Sequence, residues 1–155
     1  MLPEFLEDNT KKAEAYLSIE EVNTLLPNNL KIDIGNKLER SVYMTYQGKP
    51  LPVINSKYYS NQKYYWYSCI TKHFKEIGAE FICFTTGNYG ILVIPIDIVL
   101  HYNRFSGWKG ESKKGRQYHV RIRHDVEHND NTLRFINYNN HTENIDITKY
   151  LIKKE

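Results

Sequence analysis

Cysteine and long hydrophobic runs are both scarce in this sequence. Its 155 residues include two cysteines, Cys69 and Cys83, which fit neither a disulfide framework nor a C-x-x-C motif. Both are therefore predicted to be reduced and buried. The longest apolar stretch, residues 91–100, is interrupted by a proline and an aspartate and is about half as long as a membrane span. Residues 1–12 lack the basic and apolar regions of a secretory signal, so a cytosolic protein without a membrane partner is predicted.

Several catalytic and nucleotide-binding signatures are also missing. The sequence contains neither a G-x-x-x-x-G-K-[ST] nor a G-x-G-x-x-G motif, which leaves nucleotide binding of those types without support. No serine or cysteine has a histidine partner that spacing assigns. Hydrolysis through a side-chain nucleophile is therefore unsupported as well.

The composition is that of an ordinary folded domain with many tyrosines. The apolar fraction of 41% and the charged fraction of 25% lie near globular averages, and the length suits one domain. Thirteen tyrosines predict hydrogen-bonding surface as well as core. We expect a single domain over residues 1–155, with a helical and β extension over 1–57 and a core with a basic hairpin over 58–155.

Local patterns predict an α+β fold with a mixed, mainly antiparallel sheet and peripheral helices. Ser18-Ile-Glu-Glu21 has the form of a capping box and predicts a helix over about 19–26. A strand is predicted at 30–34, ended by Gly35-Asn36. Further strands are predicted at 41–46 and 51–54, followed by a β-α-β-β-α core with strands at 64–67, 81–85 and 90–94 and helices at 70–77 and 95–102.

The remaining residues predict a loop followed by a strand pair. Residues 103–115 are rich in Gly, Ser and Lys and predict a mobile loop. Residues 118–123 alternate between apolar and cationic side chains, as a strand with one buried face does. A partner strand is predicted at 133–137, and a short strand or helix at 145–152.

Positive charge is concentrated in residues 104–123. This segment has a net charge of +6 in a chain of +3, so the remainder is acidic overall. Clustered Lys and Arg bind phosphates with release of counterions, which predicts a nucleic-acid partner. The predicted contacts are Arg104, Lys109, Lys113, Lys114, Arg116, Arg121 and Arg123. The alternative is a solvated basic surface on an ordinary domain.

Aromatic side chains near this segment are candidates for stacking on bases. Trp108 and His119 lie within it and add to the predicted nucleic-acid contacts. The candidates from the preceding aromatic strands are Tyr58, Tyr59, Tyr65 and Trp66. The alternative is core packing, because alternate residues of a strand point to opposite faces.

A metal-dependent nuclease is the enzymatic alternative. Pro95-Ile-Asp97 and Glu111-Ser-Lys113 match the P-D…(E/D)-x-K pattern, in which two carboxylates hold Mg²⁺ and a lysine orients water or stabilises charge. The context argues against this assignment, because glycines and lysines surround Glu111 and predict a loop rather than an apolar strand. No cofactor is predicted apart from Mg²⁺ under this alternative.

Histidines near the end of the chain have the spacing of a metal site but not its context. His124 and His128 form an H-x-x-x-H pair, and His141 is a conceivable third ligand. The intervening Asn-Asp-Asn predicts a turn, on which this spacing no longer aligns the imidazoles. The same histidines superficially match an HNH-type nuclease, but this sequence lacks the ββα pattern that such a nuclease requires. The sequence therefore predicts hydrated loop histidines and no metal site.

Five hydrophobic segments occur in succession over residues 58–151. They are Tyr64-Tyr-Trp-Tyr67, Phe81-Ile-Cys-Phe84, Gly90-Ile-Leu-Val-Ile-Pro95, Tyr118-His-Val-Arg-Ile122 and Ile145-Asp-Ile-Thr-Lys-Tyr150. This succession resembles an accessory or DNA-recognition module of bacterial restriction and mobile-defence proteins. The resemblance favours DNA over RNA as the partner and identifies no catalytic residue.

The leading hypothesis is a DNA-binding domain of a bacterial restriction or defence system, without its own catalytic centre. A protein-interaction or inhibitor module, whose basic face docks on an acidic partner, is the non-enzymatic alternative. Association with a protein partner or with a second copy of the chain is left open by the sequence.

Overall fold

The computed structural model describes residues 16–55, 57–59, 64–106, 108–124, 132–136 and 145–154. Its α-helices are α1 (Ile19–Leu25), α2 (Thr71–Glu76) and α3 (Ile96–Asn103). Its strands are β1 (Ile32–Glu39), β2 (Val42–Thr45), β3 (Pro50–Ile54), β4 (Lys57–Tyr59), β5 (Tyr64–Cys69), β6 (Phe81–Thr85), β7 (Gly90–Pro95), β8 (Trp108–Ser112), β9 (Gly115–His124), β10 (Leu133–Phe135), β11 (Ile145–Asp146) and β12 (Leu151–Lys153). The predicted α+β fold is confirmed. Within these residues, no helix has the length and apolar character that crossing a membrane requires.

Helix α1 begins at the predicted capping box. Ser18 Oγ accepts a hydrogen bond from the Glu21 N–H at 3.2 Å, and Glu21 Oε1 accepts one from the Ser18 N–H at 3.3 Å. This reciprocal pair satisfies donors that the start of a helix otherwise leaves open. Val22 is buried in an apolar cluster that joins α1 to the first sheet.

The first sheet has the strand order β1-β2-β3-β6-β7-β12 and is antiparallel except for the β3–β6 pair. The sequence predicts that β1 ends at Gly35-Asn36, but the strand continues to Glu39. That prediction is wrong because β1 pairs irregularly with β2, with register shifts on both sides of the Lys37–Tyr43 pair. Such bulges let polar and small residues remain in a sheet.

The second sheet has the order β11-β10-β9-β5-β4, and β8 also pairs with β9. The sequence predicts a mobile loop over 103–115, but most of this segment forms β8 and the hairpin that joins it to β9. The loop prediction is wrong because Gly115, at φ +113°, supplies the left-handed conformation that a tight hairpin turn needs. Polar residues then pair across the hairpin, with Glu111 opposite Arg116.

The predicted β-α-β-β-α core has the expected chain order but is divided between the two sheets. Strand β5 belongs to the second sheet, whereas β6 and β7 form an antiparallel hairpin in the first sheet. Helix α2 connects β5 to β6, and α3 follows directly after β7. Phe74 of α2 and Tyr102 of α3 are buried in the core that the two sheets share.

Tyrosines of β5 join the two sheets through that shared core. The Tyr65 hydroxyl donates to the Thr86 carbonyl at 3.2 Å, and the Tyr67 hydroxyl donates to the Thr85 carbonyl at 2.7 Å. The Tyr67 ring also contacts Phe84 edge-on, with 4.8 Å between the ring centroids. Because side chains alternate along a strand, the residues between these tyrosines belong to the opposite face of β5.

A second apolar cluster lies on the other face of the first sheet. Ile91 and Val93 of β7 belong to this cluster with α1, whereas Leu92 and Ile94 belong to the shared core. Both cysteines are free and buried, as predicted. Cys69 belongs to the shared core and Cys83 to the second cluster. Burial raises the pKa of the Cys69 thiol to about 12. These thiols therefore behave as small apolar side chains.

Candidate functional site

The outer face of the second sheet carries an aromatic and cationic surface. Val120 and Ile122 of β9 lie in the core. Because side chains alternate along a strand, His119, Arg121 and Arg123 belong to the opposite face. The strand register places Trp66 of β5 opposite Arg121, and Arg134 of β10 opposite Arg123. We call the surface formed by Trp66, His119, Arg121, Arg123 and Arg134 the β9 face. Successive residues on one face of a strand lie about 6.8 Å apart.

Trp66 lies at the centre of a contact cluster on the β9 face. Its Nε1–H donates to His119 Nδ1 at 2.9 Å, and the two rings meet edge-on with centroids 5.0 Å apart. The Arg121 guanidinium carbon is 5.1 Å from the Trp66 ring centroid, within the range of a cation–π contact. Acceptance at Nδ1 assigns the proton of a neutral His119 imidazole to Nε2.

A cleft of about 870 Å³ adjoins one end of the β9 face. Trp66 and His119 belong both to the β9 face and to the cleft lining. The cationic side chains among its described lining residues are Arg40, Lys113 and Lys114, and the lining also includes apolar residues of β3 and α2. None of the described residues that line the cleft is a carboxylate. The cleft is therefore electrostatically suited to an anion.

A carboxylate beside the cleft joins the two hairpins that contribute its cations. Glu39 Oε2 accepts a hydrogen bond from Lys114 Nζ at 2.6 Å, and Glu39 Oε1 lies 2.7 Å from His73 Nε2. Burial raises the pKa of the Glu39 carboxyl, but the hydrogen bonds from Lys114 and His73 outweigh this and hold the pKa below its usual value. The ionised carboxylate thus stabilises the contact between the β8–β9 hairpin and the end of β1.

The turn between β1 and β2 has a strained backbone where it lines the cleft. Ser41 has φ +65°, a conformation that costs a non-glycine residue about 1 kcal/mol. Its carbonyl accepts a hydrogen bond from the Val53 N–H at 2.7 Å. Surrounding contacts hold such strained residues in place, and they often occur at functional sites. The turn that carries Arg40 is therefore held in one conformation.

The predicted phosphate-contacting residues are divided among several locations. Lys113 lines the cleft, and Arg121 and Arg123 belong to the β9 face, whereas Arg104 is exposed just after α3. The side chains of Trp108 and Lys109 lie outside the described residues. Among the described side chains, Lys114 pairs with the Glu39 carboxylate and Arg116 pairs with the Glu111 carboxylate. The +6 segment is thus partly neutralised rather than a single uniform edge.

The predicted base-stacking residues differ in their placement. Trp66 belongs to the β9 face and lines the cleft. Tyr65 is buried, at 3% exposure, and its assignment as a stacking residue is wrong because its ring packs in the core between the sheets. The backbones of Tyr58 and Tyr59 form β4, but their side chains lie outside the described residues.

The two carboxylates of the nuclease alternative occupy separate ion pairs. Asp97 is exposed in the first turn of α3 and pairs with Lys75 at 2.7 Å. Glu111 of β8 pairs with Arg116 at 3.4 Å. Lys113 lines the cleft, to which neither carboxylate contributes. In the described part of the chain, no group of three or more His, Cys, Asp or Glu side chains is placed to hold a metal ion.

The histidines of the H-x-x-x-H pattern lie at and beyond the end of β9. The backbone of His124 ends β9, while its side chain, His128 and His141 lie outside the described residues.

Sequence reasoning missed several residues of the cleft and the β9 face. Arg40, Ser41 and Asn55 line the cleft, but their chain neighbourhoods contain no motif that indicates a shared site. Arg134 lies between the buried Leu133 and Phe135, so strand alternation could have assigned it to the cationic face.

Comparison of the chain with protein-family models, with curated proteins and with solved structures gives no match. The cleft and the β9 face are therefore the features that bear on its function.

Proposed function

We propose that the protein binds nucleic acid across the β9 face, with single-stranded DNA as the preferred form. The observation that carries the proposal is the grouping of Trp66 with Arg121, Arg123 and Arg134 on one sheet face, beside a cationic cleft. The described lining of that cleft contains no carboxylate. Arginines supply phosphate contacts, and an aromatic ring supplies a stacking surface that accepts any base.

The arginine pair on this face supports a polyanionic partner. Arg123 of β9 lies directly opposite Arg134 of β10. Strand alternation assigns both side chains to the β9 face. A phosphate that contacts either guanidinium group there binds through charge-assisted hydrogen bonds. The two arginines therefore support a phosphate backbone as the partner.

A sheet face suits a single strand better than a duplex. Bases of a single strand are accessible to aromatic side chains on an open sheet, as in other sheet-based binders. A duplex conceals its bases and is read by a helix or a two-stranded ribbon inserted into a groove. The described part of the β9 face belongs to a broad sheet, with β5 and β10 on either side of β9.

The DNA preference and a role in bacterial restriction or defence are supported by the sequence resemblance of residues 58–151. In that role the protein supplies recognition rather than cleavage. The Mg²⁺-dependent nuclease built on Asp97, Glu111 and Lys113 and the protein-interaction module stay as predictions from the sequence.

A binding titration across salt concentrations tests the proposal. Fluorescently labelled single-stranded DNA is titrated with protein between about 50 and 200 mM salt, where phosphate contacts reduce affinity steeply. Arg123→Gln is expected to weaken binding and to reduce the slope of log affinity against log salt by about 0.7, the value for one phosphate contact on a single strand.

Lys153→Gln is the matched control, because Lys153 is exposed on β12 of the first sheet. It removes the same charge and is expected to leave the slope unchanged. Affinity that does not depend on ionic strength would remove phosphate contacts from the proposal. Equal effects of the two substitutions would show that net charge, rather than the β9 face, determines binding.

A further inference from the structure

We infer that the cleft binds the terminal phosphate and terminal base of a nucleic-acid strand, with the phosphate held by Arg40 and Lys113 and the base against Trp66. This inference rests on the proposed function, because the strand on the β9 face delivers the end to the cleft. The shared ligand chemistry is a nucleoside phosphomonoester, which a free nucleotide also offers.

The cleft has the size and the lining of a small-ligand site. Its volume of about 870 Å³ lies within the range of about 300–1,000 Å³ that small-molecule pockets occupy. Trp66 and His119 contribute aromatic rings to the lining, and Ile70 and Phe74 contribute apolar side chains. Aromatic and apolar side chains are those on which a base ring is stacked and buried.

Two cations of the cleft are not committed to carboxylates. In the portions of the chain that the structure describes, neither Arg40 nor Lys113 forms an ion pair, whereas the neighbouring Lys114 is held by Glu39. Arg40 and Lys113 are both exposed, so their charges are available to a ligand. A guanidinium forms bidentate hydrogen bonds with phosphate, and an ammonium adds a compact charge.

The charge of the ligand distinguishes a terminal phosphate from an internal one. A phosphomonoester carries about −1.5 to −2 charges at neutral pH, and an internal diester carries one. Two cations that line one cleft and have no carboxylate partner among the described residues therefore favour the terminal group. The cleft is therefore expected to bind a phosphorylated strand end more tightly than a hydroxyl end.

Asn55 adds an oriented hydrogen-bond donor to the cleft. Its Oδ1 accepts hydrogen bonds from the Leu17 N–H at 3.2 Å and from the Thr85 hydroxyl at 2.7 Å. With the carbonyl oxygen engaged by the protein, the Asn55 amide nitrogen is the group that remains to donate to a ligand. Ser41 and Gln117 also line the cleft and supply further polar contacts.

The test compares oligonucleotides that differ only at one end. Single-stranded DNA of one sequence is prepared with a 5′-phosphate, a 3′-phosphate or hydroxyl groups at both ends, and each is titrated with the full chain. One phosphorylated end is expected to increase affinity by about tenfold over the hydroxyl form, since charge-assisted hydrogen bonds of this kind contribute that much. Arg40→Gln and, separately, Lys113→Gln are expected to bring this ratio close to one.

Lys153→Gln serves again as the charge-matched control and is expected to preserve the ratio. Thermal unfolding of each variant confirms that Arg40→Gln and Lys113→Gln remain folded. Deoxythymidine monophosphate and deoxythymidine, titrated alone, form a second arm that identifies the source of the ligand. Binding of the monophosphate with the same dependence on Arg40, together with equal affinity for all three oligonucleotides, would assign the cleft to a free nucleotide and overturn the strand-end inference.

The outcomes separate this inference from the proposed function. Salt-dependent binding of all three oligonucleotides with equal affinity, and no binding of the monophosphate, would overturn the cleft inference and leave the β9 face intact. Failure to bind any oligonucleotide would overturn the proposed function and this inference with it. A ratio that Arg40→Gln and Lys113→Gln leave unchanged would place the phosphate site outside the cleft.

Discussion

Replacement of Glu39 by glutamine has opposite expected effects on stability and on nucleic-acid affinity. The substitution keeps the size of the side chain and removes its charge. It weakens the contacts of Glu39 with His73 and Lys114, which join β1 to α2 and to the β8–β9 hairpin. It also leaves the Lys114 ammonium, which lines the cleft, without its carboxylate partner. A loss of stability is therefore expected together with a gain in positive potential at the cleft.

The size of the stability loss follows from the burial of the two contacts. The Glu39 side chain is 18% exposed and the Lys114 side chain is 42% exposed, so the pair lies between the buried and the surface limits. Buried hydrogen bonds to charged groups contribute about 1.5–3 kcal/mol and exposed ion pairs about 0–1 kcal/mol. We expect a loss of about 1–2 kcal/mol, or about 2–8 °C in Tm for a domain of this size.

The loss should depend on pH in one direction. Because the folded-state pKa of Glu39 lies below the ordinary value of 4.5, its carboxylate stabilises the fold above that pH. This contribution disappears as the pH falls through the lower folded-state pKa. The Tm difference between wild type and Glu39→Gln should therefore be constant near neutral pH and shrink below about pH 4.5.

Differential scanning fluorimetry across pH and the salt titration of single-stranded DNA measure the two effects. Glu39→Gln is expected to steepen the salt dependence of binding by about 0.7 in slope, equivalent to one added phosphate contact. Glu20→Gln is the control, since Glu20 is exposed on α1 and changes net charge equally. A lower Tm with an unchanged salt slope would show that Lys114 lies away from the bound phosphates. An unchanged Tm would refute the structural role of the Glu39 contacts.

Three further predictions concern the fold. Tyr102→Phe should lower stability by about 1–3 kcal/mol in thermal unfolding, because the fully buried Tyr102 hydroxyl donates to the Ile136 carbonyl at 2.6 Å; a change below about 0.5 kcal/mol would contradict this. Gly90→Ala should reduce Tm more than Gly48→Ala, since both have positive φ but a Cβ at Gly90 meets the Ile152 carbonyl oxygen; equal effects would refute the clash. The two buried thiols should react with a thiol reagent only upon unfolding, and rapid reaction of the native protein would contradict their burial.

Elements with local sequence signals could be predicted from the sequence. Ser18 and Glu21 form the capping box within one turn of chain, so their spacing alone identifies the start of α1. The β6–β7 hairpin is similarly local, since two apolar runs flank a short turn at Gly87–Tyr89. Alternation in β9 predicted its cationic face because the side-chain period of a strand is two residues.

The cleft could not be predicted because its parts are distant in the chain. Glu39 and Lys114 are separated by 75 positions, and no local pattern signals their contact. Arg40 is a single exposed residue in a turn, with nothing in its neighbourhood to indicate an anion site. The hairpin of residues 108–124 was also hidden from prediction, because glycines and lysines are typical of loops as well as of tight turns.

The bulged edge of the first sheet has a consequence for behaviour at high concentration. Within the described part of the chain, β1 is an edge strand with irregular register. Ile34 and Leu38 are exposed on it at 38% and 52%. A flat edge with such residues would recruit strands from other molecules and seed aggregates. The bulges on either side of Lys37 interrupt the row of backbone donors and acceptors that a recruited strand needs. Substitutions that straighten β1 should therefore increase the turbidity of concentrated solutions, although each molecule remains folded.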